Sequence, residues 1–93
     1  MSTFAVNYTY TDDVATRDEV RPSHRDFLRG LNADGVVRAS GPVDGGVGAL
    51  VIVEAESAEA VLAILDADPF AVRGVIAERG VHPWDVVIGG LAE

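Results

Sequence analysis

The chain contains no cysteine, which excludes disulfides, thiolate nucleophiles and cysteine-bound metals. Lysine is absent as well: the seven basic residues are all arginines, Arg17, Arg21, Arg25, Arg29, Arg38, Arg73 and Arg79, set against 15 acidic residues. The resulting formal charge of -8 repels phosphate backbones and anionic headgroups, so neither nucleic acid nor membrane is an expected partner. Its simplest use is solubility. No apolar run approaches the ~20 residues of a membrane-spanning helix. The opening MSTFAVNYTY has no basic segment followed by an apolar stretch, so no secretory signal is read there and a cytoplasmic location is expected. The two histidines, His24 and His82, have neither the HxH nor the HxxxH spacing of a metal site. Gly45-Gly46 precedes a strand and lacks the Lys-Ser/Thr ending of a phosphate loop. No metal and no cofactor is expected.

What is present is an ordered composition, 48% hydrophobic and 24% charged over 93 residues, the size of a single domain spanning residues 1–93. Phe4, Val6, Tyr8 and Tyr10 alternate with smaller or polar residues, which predicts a strand over 3–10. A helix follows. Thr16-Arg17-Asp18-Glu19 fits a capping box and Pro22 suits a first turn, so the helix is expected to start between Thr16 and Arg21. Phe27, Leu28 and Leu31 give it an apolar face on which His24 sits, and Asn32-Ala33-Asp34-Gly35 ends it. Val36–Ser40 reads as a second strand broken by Gly41-Pro42, and Ala49–Glu54 as a third. Because Leu50 and Ile52 point one way and Ala49, Val51 and Val53 the other, this third strand is expected to be central and apolar on both faces. Ser57 is a good N-cap for a second helix with Val61, Leu62 and Leu65 inward. Asp68-Pro69 reads as a cap and first-turn pair opening a short helix over roughly 69–77. A last strand is expected over 81–88, at the sheet edge because Pro83 cannot donate to a ladder.

The order is β-α-β-β-α-β, an α+β, ferredoxin-like arrangement with a four-stranded antiparallel sheet. Two helices cover one face of such a sheet. The other, carrying Leu50 and Ile52, calls for a second copy, so a homodimer or a higher oligomer is expected.

Several of these segments together resemble the YCII-related (YciI-like) family. They are Arg21-Pro22-Ser23-His24, Leu28, Ser40-Gly41-Pro42, Asp66-Ala67-Asp68-Pro69-Phe70 with Gly74, and Pro83-Trp84. The resemblance spans nearly the whole chain. It implies a ferredoxin-like fold paired into a dimeric α/β barrel, with an active site formed by His24 and Asp68. Related members include a dehydrochlorinase acting on a chlorinated hydroxyquinol, and the fold resembles that of muconolactone isomerase.

Chemistry can be weighed residue by residue. An isolated histidine on an apolar face is more often a hydrogen-bonded core-edge residue than a catalyst. A carboxylate beside it would fix its tautomer and equip it to move a proton, and the resemblance supplies Asp68 in that role. Asp68 alone is explained by helix capping, and both uses are compatible. Asp66 is the rival partner, placed at a solvated helix end. Arg21 is suited to an anionic or phenolate substrate, or equally to a surface ion pair. Ser40, Gly41 and Pro42 are candidates for a pocket wall, or for an ordinary strand-ending turn. Trp84 reads as a core or interface anchor. The expected function is cofactor-independent proton transfer of lyase, isomerase or dehydrochlorinase type on a small cyclic or phenolic compound. The alternative is a dimer that binds a small ligand without turnover.

Overall fold

The structure, a computed structural model, describes residues 1–90. Strand β1 (Ser2–Tyr10) leads into helix α1 (Val14–Ala33), strand β2 (Val37–Val43), a 3-10 turn at Asp44–Gly46 and strand β3 (Gly48–Ala55). Helix α2 (Ala58–Leu65), the short helix α3 (Pro69–Val72) and strand β4 (Ile76–Pro83) complete it. All pairings are antiparallel and the sheet order is β2-β3-β1-β4, so the ferredoxin-like topology read from the sequence is the one observed. Both halves of the chain contribute one central strand and one edge strand.

The period of two in β1 buries Phe4, Val6 and Tyr8 together. They share one core with Ala49, Val51, Val53 and Ala55 of β3, Leu28 of α1, and Val61 and Leu65 of α2. Since both helices meet the same strand face, they cover one side of the sheet. Val61 and Leu65 are fully buried, and each such side chain contributes about 1.5–3 kcal/mol by leaving water. A smaller cluster of Val20, Phe70 and Val75, with Tyr10 and Ile76 packed on it, joins α1 to α3 beside the main core. Gly48 lets β3 pass close to β1 there: a Cβ at this position would stand 2.3 Å from the Tyr8 carbonyl oxygen.

Four boundaries differ from the sequence reading. Helix α1 starts at Val14, capped by Asp13, whose side chain accepts from the Thr16 N–H at 3.1 Å and the Thr16 hydroxyl at 2.7 Å. These two bonds hold the Asp13 carboxyl below its usual range. The Thr16–Glu19 box therefore lies inside the helix, and so does Pro22, which leaves the Asp18 carbonyl without its helical donor. Strand β2 continues through Gly41-Pro42 to Val43, because an edge strand needs no outward N–H and tolerates proline. Helix α3 stops at Val72, after which Gly74 takes φ +73°, and this early end moves β4 forward to Ile76–Pro83. Pro83 then closes β4, which is an edge strand as its proline required. On the face away from the helices, Leu50 is 40% exposed, whereas Ile52, expected to be open, is only 4% exposed within one chain. Trp84 is 39% exposed and is no core anchor.

Candidate functional site

His24 stands one helical turn before Leu28 on the buried stripe of α1, as its i−4 spacing dictates. Asp68 caps α3 from the opposite side, with Pro69 in the first position. The separation of 44 positions is closed by the packing of α1 on α3. The His24 Nδ1 lies 2.8 Å from Asp68 Oδ1 and 3.0 Å from Oδ2. Both side chains are buried, Asp68 completely. Asp68 also keeps its capping duty: Oδ1 accepts from the Phe70 N–H at 2.9 Å. The rival carboxylate, Asp66, is instead taken by Arg79 at 2.8 Å.

Two residues that the sequence reading left out complete the arrangement. The Tyr8 hydroxyl donates to Asp68 Oδ2 at 3.0 Å. A tyrosine on the inner face of a strand must find a partner for its hydroxyl, and that requirement was the available signal. The Phe70 ring stacks on the His24 imidazole, with centroids 3.9 Å apart and planes 9° from parallel. Three donors, from Tyr8, Phe70 and His24, thus converge on one carboxylate, which in its ionised form accepts only. That assigns the imidazole proton to Nδ1. The Nε2 atom is left without a protein partner among the described residues, and His24 lines the principal cleft.

Burial, reinforced by the charge and hydrogen bond of Asp68, pushes the Tyr8 phenol far above its ordinary range. A raised acid of this kind costs nothing below the pKa of the unfolded chain, near 10, where both states hold the proton. Above it, the unfolded state ionises and the folded state does not, so stability falls by about 1.4 kcal/mol per pH unit. Urea unfolding between pH 8 and 11 is expected to show this slope, and Tyr8→Phe to lack that part of it. Burial also raises the Tyr10 phenol, a shift present in both proteins and so cancelled in the comparison.

The cleft has a volume of about 810 Å³ and lies between α1 and the β2–β3 hairpin. It is the right size for a small organic ligand. Arg21, Ser40, Gly41 and Pro42 all line it, together with His24, so five of the six candidates from the sequence meet at one place. Arg21 is half-buried and paired with Asp18 at 2.8 Å. Asp68 does not line the cleft: it stands behind His24. Ser40, Gly41 and Pro42 form a wall because β2 runs on through them, which is the pocket-wall alternative of the sequence reading and not the strand-ending turn. Arg25 and Arg29 line the same cleft and were not singled out; their signal was the i, i+4 repeat with Arg21.

The profile of the YCII-related domain matches residues 1–85 of this chain. Protein YciI of Escherichia coli O6:H1 and protein YciI of Shigella flexneri are each 35% identical to it over 86 aligned positions. The alignments cover 82% of this chain and 88% of those proteins. Among solved structures, it is similar to the 5-chloro-2-hydroxyhydroquinone dehydrochlorinase from Burkholderia phenoliruptrix, determined in complex with 2,5-dihydroxybenzoquinone. That match has a TM-score of 0.76 and 25% identity, covering 89% of this chain and 93% of the dehydrochlorinase.

Proposed function

This chain belongs to the YCII-related family, and on that premise we propose that it is a cofactor-independent enzyme transferring protons on a small cyclic or phenolic compound. His24 is the general acid/base and Asp68 its positioning residue. The observation that carries this reading is the Nδ1–Asp68 bond, which turns Nε2 toward the cleft as a proton acceptor. Asp68 holds the tautomer and balances the imidazolium formed when Nε2 takes a proton. The stacked Phe70 ring fixes the imidazole plane. Arg21, Ser40, Gly41 and Pro42 surround the substrate.

The similarity to a dehydrochlorinase favours elimination within this class. In that step a base takes a proton from the ring substrate, the electron pair forms a new π bond, and chloride leaves. The charge accounting closes with a protonated His24 and free chloride. Chloride release from 5-chloro-2-hydroxyhydroquinone is the direct trial, and His24→Gln is expected to reduce it by about 10²–10⁴-fold. Binding of the same compound with no release in the native chain would instead support a ligand-binding role.

The unit at work is proposed to be a homodimer of this one domain in the cytoplasm, paired through the sheet face that the helices leave open. Leu50 and Trp84, 40% and 39% exposed, are the large apolar groups available for it. Light scattering is expected to give twice the chain mass at micromolar concentration, and a stable monomer contradicts the pairing.

A further inference from the structure

We propose that the ligand of the cleft carries a carboxylate and that Arg25 is the residue that holds it. The inference deepens the proposed function, since it places the ligand beside His24. It starts from an imbalance of charge. The chain has 15 acidic residues, yet among the described residues no aspartate or glutamate lines the cleft, while three of its seven arginines do. A cleft wall of one sign, in a protein of the other, focuses the field on an incoming anion.

The three arginines differ in what they have left to offer. They stand at i, i+4 and i+8 along one stripe of α1. Arg21 is tied to Asp18 at 2.8 Å, and Arg29 to Asp26 at 3.0 Å. Arg25 lies between these pairs and makes no hydrogen bond or ion pair among the described residues. The carboxylates of Asp18 and Asp26 flank it on the outer groove of the helix without reaching ion-pair distance. Among the described residues its guanidinium is therefore the cation of the cleft open to a ligand. The field reaches the cleft wall: the positive charges of Arg17, Arg21 and Arg25 each work against the burial that raises Tyr10.

The remaining lining defines the rest of the ligand. Leu28 and Phe70 are apolar, and Ser40, Gly41 and Pro42 are uncharged. A planar fork matches a carboxylate with two parallel hydrogen bonds, and a single free guanidinium suits a monoanion. The ligand class is thus an organic acid with an apolar or cyclic body, its carboxylate on Arg25 and its reacting end at Nε2 of His24.

The test compares 2,5-dihydroxybenzoate with 2,5-dihydroxybenzamide, which have the same ring and differ in charge, by calorimetric titration at low ionic strength. The native chain is expected to bind the acid at least tenfold more tightly than the amide. In Arg25→Gln, an exposed substitution that leaves the core alone, the ratio is expected to fall close to one. Arg73→Gln, which removes a cation paired with Glu19 outside the cleft, should keep it. Equal affinity of the native chain for acid and amide, including no binding of either, overturns the proposal, as does an unchanged ratio in Arg25→Gln. Turnover is a separate readout. A high acid-to-amide ratio without turnover of any ring substrate upholds Arg25 and removes the enzymatic reading. Turnover with a ratio of one does the reverse.

Discussion

Asparagine at position 68 is expected to leave the fold standing and to lower turnover by about 10⁴-fold, the size of effect seen when a carboxylate that fixes a catalytic imidazole is neutralised. The amide oxygen can still cap α3 through the Phe70 N–H, because asparagine caps as well as aspartate. The amide nitrogen then takes the place of Oδ2, 3.0 Å from Nδ1 of His24, while the capping oxygen keeps its 2.8 Å contact with the same nitrogen. Nδ1–H can still donate to that oxygen, but the negative charge is gone and a donor stands where the second acceptor was. The imidazolium formed when Nε2 takes a proton then has no carboxylate to balance it, and that loss of charge is what lowers turnover. Chloride release and thermal unfolding, measured on the same preparation, separate this outcome from misfolding. A variant that keeps its rate within tenfold reduces Asp68 to a helix cap.

Alanine at the same position is expected to cost far more stability than asparagine, about 3–5 kcal/mol. It strands three buried donors: the Tyr8 hydroxyl, the His24 Nδ1–H and the Phe70 N–H. Each unsatisfied buried group costs about 1–3 kcal/mol, with some recovered by relaxation and water entry. A domain of this size holds roughly 5–15 kcal/mol in total, so the substitution consumes much of its margin. Urea unfolding curves of Asp68→Ala and Asp68→Asn check the contrast. Losses below about 1 kcal/mol in both would contradict a buried three-donor network.

The architecture was legible because its signals are periodic. Alternation in β1, the apolar face of α1 and the two-sided β3 fix one central pair and the helix layer, and the fold follows from their order. The boundaries were harder where short polar residues compete for the same duty. Asp13 and Thr16 are both good caps, and only the geometry of the chain leaving β1 selects Asp13. Pro22 and Pro42 were read by their usual effect on isolated elements. Inside a packed helix and on a sheet edge, tertiary context tolerates both. His24 and Asp68 were legible as a pair only through the family's motifs, since no local pattern predicts a contact across 44 positions. Tyr8 was overlooked because a strand tyrosine looks like core, and its hydroxyl partner lies 60 positions away. Ile52 shows the limit of face counting: alternation puts it on the side away from the core, yet it is buried within one chain.

The most direct test of the account is the protonation pattern of the His24 imidazole, read from long-range proton–nitrogen NMR correlations at neutral pH. The account predicts a proton on Nδ1, held by Asp68, and an Nε2 signal that shifts when 2,5-dihydroxybenzoquinone is added. A native ring that carries its proton on Nε2, or an Nε2 signal indifferent to every cleft ligand that binds, contradicts it.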